Sequence, residues 1–269
     1  ITLWSRPISG EGSYAVSSSN ESINKTVTVA LVLCLVCSVV VSAAAVLLRP
    51  AQAVNEKVNM QMNILQAAGL YDPNQSIKDQ FQAVSTRLVN LSTGEFVEGI
   101  EAEEYNQRKA AKDPSMNRLI SKAKDIASIK RQAKIAKVYL IQTDDQVEKI
   151  ILPIHGYGLW STLYGFMALE GDANTVAGLG FYEHAETPGL GGEVDNPNWR
   201  AQWTGKQVYE DNAVAIRLVK GGAKRSDKYG VDALSGATLT SRGVDNLVKF
   251  WLSDEGFKPF LNNLKQGRI

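Results

Sequence analysis

The spacing of apolar and polar residues changes period along the chain, and each change predicts a different element. "VTVALVLCLVCSVVVSAAAVLL", Val27 to Leu48, runs 22 residues without a charge and as a helix reaches ~33 Å, about the thickness of a bilayer core. Lys25 and Arg49 fence the run, and only Thr28, Ser38 and Ser42 interrupt it, each with a hydroxyl able to bond its own backbone. A transmembrane helix is therefore predicted over residues 25–49. A signal peptide is the competing reading, because "SAAAV" and "AQA" resemble cleavage sites, but the run exceeds the usual apolar core of such a peptide. Beyond it, Val54, Val58, Met62 and Leu65 share one face of a juxtamembrane helix that Gly69 closes. Residues 75–134 read as mostly helical, with a charged stretch from Glu98 to Lys112 and a break at Asp113 and Pro114, so 50–134 forms one helical region. From Ile135 the texture turns to β: "IAKVYLIQ", "VEKIILPI", "TVAGLGFYEH" and "NAVAIRLVK" are predicted strands between Asp, Gly and Pro turns. Val244, Leu247, Val248, Trp251 and Leu252 then recur at helical spacing, on a helix that begins near Thr238. The expected fold class is α+β: an N-terminal transmembrane helix, then a core over 135–269 with a mainly antiparallel sheet flanked by helices. Residues 1–24, rich in Ser and Gly without an apolar period, are expected to be a mobile tail.

Composition narrows the partners. The 29 basic residues are balanced by 28 acidic ones and do not gather into a stripe, so nucleic acid is not an expected partner. Arg6 and Lys25 on one side of the span against Arg49 and Lys57 on the other leave its orientation undecided. Cys34 and Cys37, the only cysteines, lie inside the span on one helical face, as apolar packing residues or as redox ligands shared with a neighbour. His155 and His184 are the only histidines, neither in H-E-x-x-H spacing, so both are expected at the surface and no metal site is expected.

The candidate chemistry lies in "DALSGATLTSRGVDNLVKFW", residues 232–251. The first turn of its helix offers unpaired N–H groups and the positive end of the macrodipole, with Thr238, Thr240 and Ser241 beside them. Gly236 and Ala237 keep the approach narrow, so a phosphate can reach the backbone. A plain capped helix would use the same residue types. The whole string, Asp232, Ser235, Gly236, Ala237, Thr238, is more specific: it spells D-x-x-[ST]-G-A-T and resembles the flavinylation motif of FMN-binding domains in membrane redox complexes. Together with the single anchor, "HAETPGLGG" and "FWLSDEGFKPFLNNLKQG", it resembles the C-subunit family of the Na⁺-translocating NADH:quinone oxidoreductase (Nqr) over residues 20–269.

That resemblance implies a covalent FMN joined through its phosphate to Thr238, with Ser235, Gly236, Ala237, Leu239 and Thr240 around it and Asp232 recognised by a separate flavin transferase. It implies that Glu186, Thr187 and Leu190 of the Gly-rich loop approach the flavin; a plain Pro188-Gly189 turn is the alternative. It further implies an electron carrier within an ion-translocating oxidoreductase, partnered by the other Nqr subunits and membrane lipid. The location implied is the bacterial inner membrane, with the FMN domain on the periplasmic side. Gly156 and Gly158 in "PIHGYGLWS" would permit close ligand approach and Tyr157 or Trp160 stacking, although core or interface aromatics read the same way. Lys220 beside Gly221 and Gly222 offsets flavin charge or is a solvated turn residue. The FMN-carrying member of the related Rnf complex is the nearest alternative. A membrane-tethered flavin reductase needs a nicotinamide site, and no G-x-G-x-x-G turn is present. A structural scaffold would carry no flavin.

Overall fold

A computed structural model describes residues 22–144 and 146–268. The chain divides into two compact units, residues 1–54 and 55–269. The expected tail over 1–24 lies outside the described residues except for 22–24, and Ile23 opens the first helix.

Helix α1, Ile23–Ala67, carries the apolar span. Leu31, Leu35 and Leu47 are all exposed along it, as are Cys34 and Cys37; so long an apolar surface is suited to lipid rather than water. Pro50 sits inside the helix and removes one backbone bond there. In the second unit the helix buries Ile64, Leu65 and Ala67, with Met60 packed beside them. Val54 and Val58, expected on the apolar face, are exposed, because burial starts only where the helix meets the sheet. Gly69 ends it as predicted: at φ 70° it lets its own N–H reach Gln66 O at 3.1 Å and Leu70 N–H reach Leu65 O at 2.9 Å.

Residues 75–134 are not mostly helical. Their helices are the short α2, Ile77–Gln80, and α3, Gln107–Lys112. Strand β1, Val84–Asn90, joins the main sheet, and β2, Asn117–Leu119, pairs with β3, Arg131–Ala133. The Ala-, Lys- and Glu-rich composition favours helix, but Gly94 and Gly99 at φ 73° and 80° turn the chain, and β1 alternates between the two sheet faces through Leu88 and Val89. The sheet thus draws a strand from before residue 135.

That sheet continues with β4, Ile135–Thr143; β5, Gln146–Tyr157; β6, Thr162–Glu170; and β7, Val176–Glu183. Its order is β1-β4-β5-β6-β7, antiparallel throughout, with Tyr139 opposite Ile151 and Ile151 opposite Ala168. The interior strand β6, "TLYGFMALE", buries residues on both faces and shows little alternation, which is why its pattern does not announce a strand. After α4, Pro197–Ala201, come short strands β8, Tyr209–Glu210; β9, Ala213–Val214; β10, Arg217–Val219; and β11, Gly230–Asp232. The predicted strand "NAVAIRLVK" is thus two short pieces outside the main sheet, the second parallel to β11. Helices α5, Thr238–Trp251, and α6, Lys258–Lys265, close the chain.

The larger core lies where α5 and α6 cover one sheet face, joining Val138, Leu152 and Met167 to Val244, Leu247 and Phe260. The face opposite takes the end of α1 through Ile64, Leu65, Tyr139, Ile151 and Phe166. All five residues predicted for the buried stripe of α5 and its end are buried. This packing fixes the N-terminus of α5 beside the β5–β6 hairpin tip: a Cβ on Gly243 would lie 2.5 Å from Tyr157 O, so only glycine lets the two backbones approach so closely.

Candidate functional site

Thr238 is the first residue of α5, and its side chain is exposed. The preceding Ala237 has no capping side chain and φ −120°, ψ 55°. The first turn therefore has no side-chain cap on its N–H groups, an arrangement suited to an anion. Gly236 turns the chain at φ 72°, and a Cβ there would come 3.1 Å from Leu190 Cδ2. The Gly-rich loop after β7 is thereby laid against the approach to Thr238. Leu190 is 45% exposed and Leu239 52%.

Thr238, Ser235, Gly236 and Arg242 line a cleft of about 720 Å³ together with the Lys220-Gly221-Gly222 turn, Asp232 and Asp245; the Asp232 carboxylate accepts from Ala223 N–H, and that of Asp245 from Leu218 N–H and Lys249. Arg242 stands one helical turn after Thr238 and went unnoticed in the motif; its i+4 spacing was the available signal. Lys220, Arg242 and a helix N-terminus thus share one cleft with two carboxylates that are each engaged by a backbone N–H group.

Glu186 stands behind this surface, 5% exposed. Its Oε1 accepts from the backbone N–H groups of Leu159 at 3.1 Å, Trp160 at 3.0 Å and Ser161 at 3.3 Å, and its Oε2 accepts from the Thr240 hydroxyl at 2.7 Å. Burial raises its pKa, but the Thr240 bond and the three N–H donors outweigh that and hold it below the ordinary carboxylate value. One carboxylate therefore ties the hairpin tip to the first turn of α5. Glycine is required at both approaches: a Cβ on Gly158 would meet Glu186 Oε1 at 2.6 Å, and one on Gly191 would meet Thr240 Oγ1 at 2.5 Å. Leu159, Trp160 and Tyr157 at the hairpin tip are all exposed.

The remaining sequence-predicted residues have other surroundings. Thr187 is exposed, and its carbonyl accepts from Leu190 and Gly192. Buried Ser241 accepts from Leu234 N–H at 2.9 Å, bracing the S-G-A-T turn. The Asp232 carboxylate accepts from Ala223 N–H at 2.6 Å and its carbonyl from Trp199 Nε1 at 2.7 Å, so it holds the far wall of the cleft. His155, expected at the surface, is wedged between the rings of Tyr164 and Trp251, with centroids 5.3 and 4.9 Å away. Burial first, and Arg108 second, push its pKa down to about 4. His184 is also mostly covered, its side chain 12% exposed.

Comparisons with known proteins fall on the same residues. The family model described as FMN-binding domain matches residues 158–253, from the hairpin tip through the Gly-rich loop to the end of α5. The C-subunit of the Na(+)-translocating NADH-quinone reductase of Pseudomonas aeruginosa is 50% identical over 258 residues, covering 93% of this chain and 99% of that protein. The chain belongs to this C-subunit family, NqrC. Its Vibrio vulnificus relative is 49% identical over 254 residues, with 94% and 99% covered. The crystal structure of Shewanella oneidensis NqrC has a TM-score of 0.72 at 42% identity, covering 77% of this chain and 96% of that one. The crystal structure of the corresponding Parabacteroides distasonis protein gives 0.63 at 29% identity, covering 80% and 96%. The likeness to the Shewanella oneidensis structure supports the antiparallel sheet with flanking helices, and with the long apolar N-terminal helix of this chain the expected α+β class holds.

Proposed function

We propose that this chain carries FMN as a phosphoester on Thr238 Oγ1 and serves as an electron-transfer subunit of a membrane Na⁺-translocating NADH:quinone reductase. The observation that carries the proposal is an exposed threonine hydroxyl on an uncapped helix N-terminus, opening into a cleft with Arg242 and Lys220. A phosphate fits that donor set, and the exposed Leu190, Leu239 and Trp160 supply apolar surface for an aromatic ring. On attachment the Thr238 oxygen bonds the FMN phosphorus as one P–O bond of that phosphate breaks, and the departing oxygen group takes the hydroxyl proton, so that FMN and threonine join with net loss of water. The first turn of α5, Arg242 and Lys220 then offset the remaining negative charge. FMN supplies the electron-transfer chemistry when bound. The protein keeps the group at one place without needing a deep pocket, because an ester makes retention independent of affinity.

Maturation requires a flavin transferase to reach Ser235, Gly236 and Thr238, all exposed. Asp232 acts on that step by shaping the turn at Ala223. Apolar α1 anchors the chain in the bacterial inner membrane among lipid and the other Nqr subunits, with residues 55–269 on the periplasmic side. The names of the relatives support Nqr over the Rnf alternative. Coexpression with a transferase is expected to give a band that stays fluorescent under ultraviolet light in a denaturing gel, and Thr238→Ala is expected to abolish it. A band of unchanged brightness in that variant would overturn the attachment site.

A further inference from the structure

His184 and Asp195 stand one step behind the Glu186 clamp. His184 Nδ1 lies 3.2 Å from the backbone nitrogen of Glu186, and its Nε2 lies 2.9 Å from Asp195 Oδ2. A backbone N–H can only donate, so Nδ1 must accept, and the neutral ring carries its proton on Nε2, where Asp195 accepts it. We propose that His184 is a positioning residue for the flavin site: Asp195 fixes its tautomer, and its Nδ1 holds the Glu186 backbone so that the carboxylate reaches both the 159–161 turn and Thr240. The proposal rests on the FMN reading of Thr238 for its flavin consequences only.

The chain of contacts is continuous. Asp195 belongs to the 3-10 turn Gly191–Asp195 and His184 to the start of the Gly-rich loop. Ala185 N–H donates to Ser161 Oγ at 2.8 Å, a second tie between the loop and the hairpin tip. Without a ring nitrogen that accepts at the Nδ1 position, the Glu186 N–H loses this partner and the loop its tie to the clamp.

The test records flavin absorbance and fluorescence of flavin-loaded full-length protein in detergent at one fixed pH. His184→Asn, whose side-chain oxygen accepts from the N–H two residues on, is expected to keep the wild-type spectrum, and His184→Phe, which offers no acceptor, to shift it. A shifted spectrum in His184→Asn, or a wild-type spectrum in His184→Phe, overturns the proposal. The second arm needs no flavin: with only two histidines, ¹⁵N ring resonances are assigned by the same variants. A neutral His184 protonated at Nε2 is expected, and one protonated at Nδ1 refutes the relay. If Thr238 carries no FMN, the optical arm is blank and that reading fails, while the ring-nitrogen arm still decides this one.

Discussion

Replacing Glu186 separates a clamp from an ordinary buried polar residue. Glu186→Ala leaves three backbone N–H groups and the Thr240 hydroxyl without their acceptor. Bonds to a charged acceptor contribute about 1.5–3 kcal/mol each, but three of these share one oxygen and the turn can rehydrate, so the expected loss is about 3–5 kcal/mol. Glu186→Gln keeps an oxygen for the N–H groups and turns its amide towards Thr240, whose hydroxyl then accepts. Only the charge is lost, at about 1–2 kcal/mol. The folded pKa of Glu186 is depressed, so the advantage of wild type over Gln is complete above the unfolded carboxyl value, about 4.3, and is lost as pH falls through the folded value. Urea unfolding of full-length protein in detergent, followed by tryptophan fluorescence from pH 7 downwards, measures both gaps. Equal losses for Ala and Gln at neutral pH, or a wild-type-to-Gln gap indifferent to acid, would refute the reasoning.

Further outcomes follow from the same geometry. Gly158→Ala forces a Cβ into Glu186 Oε1 and Leu163 Cδ1; it is expected to cost about 1–3 kcal/mol in urea unfolding and to slow flavin loading. Gly236→Ala places a side chain at φ 72° against Leu190 and is expected to lose about 1–2 kcal/mol. Arg242→Gln removes a cation from the cleft and is expected to shift the flavin midpoint potential in spectroelectrochemistry to more negative values, without changing the mass of the flavin group carried. His155 is held neutral, with a folded pKa of about 4 against about 6.5 unfolded. Its stabilising contribution is complete above the unfolded value and falls towards pH 4, so His155→Phe is expected to flatten the pH dependence of unfolding between these limits.

The apolar span and α5 were legible because each states its period locally: one has no charge for 22 residues, the other repeats Val244, Leu247, Val248 and Trp251 on one face. The turn at Gly236 and the helix start at Thr238 were legible for the same reason, since the two are contiguous. What lay hidden is held by contacts distant in sequence. Glu186 reads as a group facing a ligand until the turn at 159–161, some 25 residues earlier, is seen to fill one of its oxygens. Strand β1 lies in a stretch whose composition favours helix, and only pairing with β4, Val84 opposite Ile141, decides its state. Asp232 and Ala223 are joined across a turn that the sequence reads as solvent-facing.

Intact mass measurement of the full-length protein, made alongside a flavin transferase and followed by peptide mapping, tests the attachment most directly. The expected result is the polypeptide mass plus one FMN less a water, carried on the peptide that contains Thr238 and absent from Thr238→Ala. Unmodified polypeptide mass, or the same addition on another peptide, would contradict it.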